Sequence, residues 1–207
     1  MQGSIEGTAV DRVGQHYDTP SAAAHEEHPD FRIFGIIVFL VAESMIFLGL
    51  FVAYLTFRAV YPNWPPEGTP ERELLLPGIN TILLVSSSFV IHNADTAIKQ
   101  NNVAKFRAWF AATGLMGVIF LIGQLYEYFH LEFGLKTNLY ASTFYVLTGF
   151  HGLHVLFGLV LILSVLWRSR NRAHYSSEHH FGIEAAELYW HFVDVVWVVL
   201  FVLLYLL

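Results

Sequence analysis

The chain contains no cysteine. Disulfides, thiolate nucleophiles, cysteine-bound zinc and cysteine-ligated iron–sulfur clusters are therefore excluded. Charge is scarce too. Only 14% of the 207 residues are Asp, Glu, Lys or Arg, against 55% hydrophobic and 16% aromatic. With a mean hydropathy of +0.50, the composition is too apolar for an ordinary soluble domain, and the long uncharged runs read as membrane spans. Phosphate loop, dinucleotide fingerprint and nucleophile triad are all missing, and nothing suggests a nucleic-acid partner.

Residues 1–30 are polar and acidic, with Asp11, Asp18, Glu26, Glu27 and Asp30. They carry no apolar core of the signal-peptide kind and read as a polar, flexible tail. His16, His25 and His28 in it read as solvated side chains. Five spans follow in residues 31–207, at about 31–57, 78–98, 108–129, 139–167 and 183–207, each long enough to cross a bilayer. The first loop, with Pro62, Pro65, Pro66 and Pro70 beside Tyr61 and Trp64, breaks the helix at an interface. The expected fold is all-α, a polytopic bundle of five transmembrane helices without a separate soluble domain. Ser86, Ser87 and Ser88 in span two, and Gly114 and Gly117 in span three, suit close helix contact.

The last span is the most informative. Glu187, His191 and Asp194 fall at i, i+4 and i+7, one face of a helix, with Trp190 and Trp197 beside them. An acid in mid-membrane must face protein, a cavity or a partner. Glu43, His151, His154, His191 and Asp194 all fall near the middles of their spans, so spans one, four and five are expected to converge on one buried polar layer. Three readings stand open: an interhelical hydrogen-bond network, a metal site, or a proton or lipid role for Glu43. The Glu-x-x-His pairs of a di-iron bundle are lacking, and no metal ligand is assigned. Asp194 has His191 as a partner on its own helix, whereas Glu43 has no basic neighbour within a turn and is expected to stand alone. Arg168, Arg170 and Arg172 suit either the topology rule or anionic lipid phosphates. Glu178, His179 and His180 make one piece of a His-box, weak by itself.

Several runs resemble one family in order. TGFHGLHV from Thr148 and YWHFVDVVW from Tyr189 are similar to two signature runs of cytochrome c oxidase subunit III, in the haem–copper oxidase superfamily. AESMIF around Glu43, LPGINT with Asn80 and Thr81, QLYEY with Gln124 and Glu127, YASTF from Tyr140 and HHFGIEA with Glu184 resemble further stretches of it. The resemblance covers about residues 31–207. It implies a non-catalytic subunit of a proton-pumping terminal oxidase that reduces dioxygen to water in aerobic respiration. Such a subunit binds none of the haem or copper, which lie in subunits I and II. It packs on subunit I, holds phospholipid and supports proton uptake and turnover stability.

Lipid or proton roles transfer by this resemblance to Glu43 and Arg168. The chain resembles a short five-helix bacterial form that lacks the first two of seven helices, so one wall of the family's lipid cleft is missing or supplied by another subunit. Glu187 stands where the mitochondrial pattern has no acid. The expected location is a bacterial plasma membrane or an internal respiratory membrane. A quinol oxidase subunit III is the nearest alternative, and a proton-coupled transporter using Glu43 and Asp194 the more distant one.

Basic residues give the orientation. With the N-terminus inside, the cytoplasmic side receives Arg12, Arg32, Lys99, Lys105, Arg107, Arg168, Arg170 and Arg172, and the other side only Arg58, Arg72 and Lys136. An odd number of spans then puts the C-terminus outside. The absence of cysteine makes labelling of single introduced cysteines a clean test. A cysteine at Ser4 is expected to be protected from a membrane-impermeant thiol reagent in intact cells, and labelling there would reverse the topology.

Overall fold

The computed structural model describes residues 31–67, 69, 74–170, 175–177 and 179–207. The tail histidines, Arg72, Arg172 and Glu178 lie outside these. Five helices run in alternating directions: α1 (Phe31–Val60), α2 (Leu75–Lys99), α3 (Val103–His130), α4 (Leu139–Arg168) and α5 (Phe181–Phe201). All five are long and apolar enough to cross a membrane. The protein is an all-α, multi-pass membrane protein.

Local chemistry sets the helix ends. Asn102 and Asn138 open α3 and α4, their side chains accepting hydrogen bonds from the Lys105 and Ala141 backbone N–H groups. The α2–α3 turn is shorter than the basic stretch expected at 99–107. Only residues 100–102 are non-helical, with Asn101 at a φ of 56°, a left-handed conformation that asparagine tolerates well. This tight reversal lays α2 and α3 against each other along their length.

The last span does not end as a plain α-helix. It widens into a π-turn at Val202–Leu206. Two tyrosine hydroxyls donate to carbonyls of this turn, Tyr54 to Leu203 at 3.1 Å and Tyr140 to Leu204 at 3.4 Å. A third, Tyr205, projects from the turn and donates to Glu127 at 2.9 Å. These bonds tie α1, α3 and α4 to one end of α5.

Helix α5 is the centre of the bundle and α1 its outrigger. Trp190 and Trp197 on α5 are both wholly buried, among Leu84, Ile91, Phe110, Phe120 and Phe144 of the core. On α1 only Phe47 and Tyr54 are buried, while Ile37, Val41, Met45, Leu48 and Val52 remain exposed. The Trp190 indole lies between two glycines: a Cβ on Gly117 would come 2.5 Å from its ring, and one on Gly158 2.9 Å. Both positions must be bare for α3, α4 and α5 to close around it.

A methyl group at either position forces the ring or the helices apart. Gly117→Ala and Gly158→Ala are each expected to cost about 1–3 kcal/mol, read as a lowered thermal midpoint of the purified protein. Gly149→Ala and Gly152→Ala, whose Cβ positions have no neighbour closer than 3.9 Å, are expected to leave it unchanged.

Candidate functional site

The polar residues do not form one layer, as the sequence suggested. They separate into clusters on different seams, because pairing depends on the direction each side chain takes around its helix. The seam between α1 and α4 holds Glu43 and His154, with Oε2 and Nε2 3.1 Å apart. Glu43 is therefore not the lone carboxyl expected from its own helix. His154 Nδ1 lies 2.8 Å from the Phe150 carbonyl oxygen. That atom only accepts, so Nδ1 bears a hydrogen. The contact to Glu43 then needs one further proton, held by the carboxyl or by the imidazole. The rings of Phe47 and Phe150 flank His154 at centroid distances of 4.9 and 4.7 Å. A groove of about 370 Å³ lies over the pair, lined by Phe39, Glu43, Leu153, His154, Phe157 and Tyr189.

The stripe on α5 faces α2, not α1 or α4. Ser88 donates a hydrogen bond to the Asp194 carboxylate and lies 2.9 Å from His191 Nδ1. Asp194 and His191 thus meet through a serine of another helix rather than directly. His191 Nε2 is 3.5 Å from Glu187, whose same oxygen lies 3.2 Å from His92 Nδ1. The result is a polar chain from Asp194, 4% exposed, to the exposed His92. Glu187, which the mitochondrial pattern left unexplained, is its central link. The two tryptophans complete the seam: Trp190 donates to Ser87 at 2.8 Å and Trp197 to Thr81 at 3.0 Å.

The remaining motif residues are structural neighbours of these seams. Gln124 donates to Glu127 at 3.0 Å, and the other Glu127 oxygen receives Tyr205. Asn80 is buried at the start of α2. His151 is wholly buried; among the described residues its imidazole makes no hydrogen bond, and it packs on Trp197 and Phe120, at centroid distances of 5.0 and 5.9 Å. It does not share a face with His154, contrary to the expectation that both point into one layer. At the other end of the bundle His180 and Glu184 meet at 3.1 Å, as do Lys99 and Asp95 at 2.7 Å. Asp95, Ser88 and His92 received no role from the sequence. The run of hydroxyls in α2 was the available signal for Ser88, read there as close packing alone.

Arg168 closes α4 beside an apolar cleft of about 390 Å³, lined among others by Ile36, Phe39, Phe157, Leu161 and Tyr175. Burial raises the pKa of the Tyr175 hydroxyl above its ordinary value, with Arg168 opposing the shift. The phenol stays a neutral donor next to a guanidinium.

The model of the family described as cytochrome c oxidase subunit III matches residues 25–207. The chain belongs to that family. Cytochrome c oxidase subunit 3 of Synechocystis sp. is 68% identical over 191 residues, 92% of this chain and 82% of the relative. That of Thermostichus vulcanus is 54% identical over 207 residues, 100% of this chain and 98% of the relative. The rat protein of the same name is 40% identical over 178 residues, 83% of this chain and 68% of its own length. Family membership makes this chain a subunit of a cytochrome c oxidase complex, and it sets the transporter reading aside.

The two seams respond differently to substitution. Glu43→Gln is expected to preserve assembly, because the amide N–H can donate to a neutral His154 Nε2. Ser88→Ala removes the hydrogen bond that the Asp194 carboxylate accepts among the described residues and is expected to cost about 1–3 kcal/mol. Recovered complex and its thermal midpoint measure both. A Glu43→Gln variant less stable than Ser88→Ala would invert the assignment.

Proposed function

We propose that this chain is the redox-inactive subunit III of a proton-pumping terminal oxidase, packed on subunit I near subunit II and holding phospholipid in its membrane-facing clefts. Cytochrome c is the proposed electron donor. The proposed location is a respiratory membrane, plasma or thylakoid, in keeping with the cyanobacterial relatives. Haem and copper belong to the partner subunits in this reading. The chain's own residues orient helices and exclude water, with Glu43 holding a proton and Asp194 anchoring α5 to α2.

The observation that carries the lipid role is the cleft beside Arg168. Its walls are mostly apolar side chains of α1, α4 and α5, and the Arg168 side chain is part of its lining. Such a shape suits an acyl chain below and a phosphate above, since a guanidinium fork matches phosphate oxygens. With the N-terminus in the cytoplasm, the headgroup lies in the inner leaflet, where anionic lipids and basic residues meet. The exposed apolar face of α1 agrees with a wall that another subunit or lipid completes.

Glu43 and His154 share a single proton in a groove open between α1 and α4. That arrangement suits a group which buffers or relays protons for a neighbouring uptake path, and the open groove keeps it within reach. A tag on this chain, with mild-detergent purification, tests the assembly: haem absorbance and two larger subunits should co-elute, and a lone colourless protein would overturn the reading.

The lipid assignment has its own measurement. Arg168→Met is expected to assemble, to retain fewer phosphate groups per haem after detergent washing, and to inactivate sooner during sustained turnover. Unchanged phosphate content and unchanged turnover lifetime would remove Arg168 from the lipid site.

A further inference from the structure

At the end of the bundle where α2 finishes and α5 begins, carboxylates and histidines gather outside the seams described above. Asp95 is 3% exposed. Its Oδ2 meets Lys99 Nζ at 2.7 Å, while its Oδ1 is buried and makes no hydrogen bond among the described residues. Ligand atoms of Asp95, His180 and Glu184 all lie within 4.8 Å of one another. A second group, His92, Asp95 and Glu187, meets the same limit and shares Asp95 with the first.

We infer that Asp95, His180 and Glu184 form a binding site for a divalent transition-metal cation of the zinc class, joining the end of α2 to the start of α5. The state of His180 supports this most directly. Its Nδ1 lies 3.2 Å from the Ser176 carbonyl oxygen, which can only accept, so Nδ1 carries the hydrogen. Nε2 then presents a lone pair, and that lone pair faces Glu184 Oε1 at 3.1 Å. Two electron-rich atoms at that distance need a cation or a proton between them. A backbone carbonyl that fixes the tautomer of a ligating imidazole is the usual outer-shell arrangement at zinc. The unpartnered Oδ1 of Asp95 supplies a third donor.

Imidazole nitrogen with carboxylate oxygen, and no thiolate, suits zinc or a neighbouring divalent ion. Magnesium, which prefers oxygen ligands alone, fits less well. Glu187 is close enough through the shared Asp95 to assist, and its Oε1 already faces His92 at 3.2 Å and His191 at 3.5 Å. Lys99 is the competitor. Its ammonium neutralises Asp95 in the metal-free arrangement, and its half-exposed side chain is free to swing into water when the ion arrives. The site is independent of the proposed lipid and proton roles, since none of its three ligands takes part in them.

The test uses the detergent-purified protein with its accompanying subunits, stripped with a chelator and then given Zn²⁺ alone. Bound zinc is counted per copy of this chain, and the thermal midpoint is followed in parallel. Wild type is expected to hold about one more zinc than Asp95→Asn or His180→Gln, and zinc should raise its thermal midpoint but not theirs. His180→Gln can still donate to Ser176, so it keeps the local fold if Asp95→Asn does not assemble. Lys99→Met removes the competing charge and is expected to tighten zinc binding by about tenfold. Equal zinc content in wild type and both ligand variants would overturn the site, as would weaker binding in Lys99→Met.

Discussion

A carboxylate or imidazole at membrane depth cannot be left facing hydrocarbon, and the arrangement of this bundle follows from that constraint. Asp194 lies on a helix whose other faces are Val and Leu, so that helix has one acceptable rotation. Ser88 supplies the partner that fixes it. Once α5 is so oriented, Trp190 and Trp197 point to Ser87 and Thr81 on the same neighbour, and the tight α2–α3 turn brings α3 against the pair. The glycines of α3 and α4 then close on the Trp190 ring. Each contact depends on the one before it, and the first is a solvation requirement, not a gain from burial, because lipid offers apolar side chains no reason to leave it.

Span number, span limits within a few residues and the inward stripe of α5 were all legible in the sequence. Periodicity and hydropathy report those directly. The family was legible too, because its motifs are runs of rare polar residues inside apolar helices. Partner choice was not. The single polar layer dissolved into separate seams because depth in the membrane is a coordinate along the helix, whereas pairing depends on the angle around it. Glu43 looked solitary because His154 lies on a helix 111 residues away. His151 looked like its companion, yet three residues of helix turned it into an aromatic pocket instead. Lys99 and Asp95 sit four residues apart on α2, a spacing at which opposite charges meet, yet Asp95 received no role from the sequence. Nothing in spacing alone brought α5 to them.

Helix α1 obeys a looser rule. It buries two aromatic side chains, meets His154 through Glu43 and Phe181 through Arg32, and leaves much of its surface exposed. The contact between Glu43 and His154 therefore sits at the boundary formed by the least buried of the five helices. A boundary of this kind is completed by what lies against it. Membership in a multi-subunit oxidase gives that boundary a physical meaning, because whatever covers the groove also covers the Glu43–His154 contact.

The wide turn at the end of α5 has a mechanical consequence. Tyrosines from α1 and α4 grip its carbonyls, and its own tyrosine reaches α3. Some turns earlier along the same axis, Asp194 and the two indoles engage α2. A helix pinned at separated points cannot turn about its axis or slide by a residue unless all the pins release together. Helix α5 is in this sense a keyed shaft. Conformational work in the complex must pass around this subunit or move it as one body.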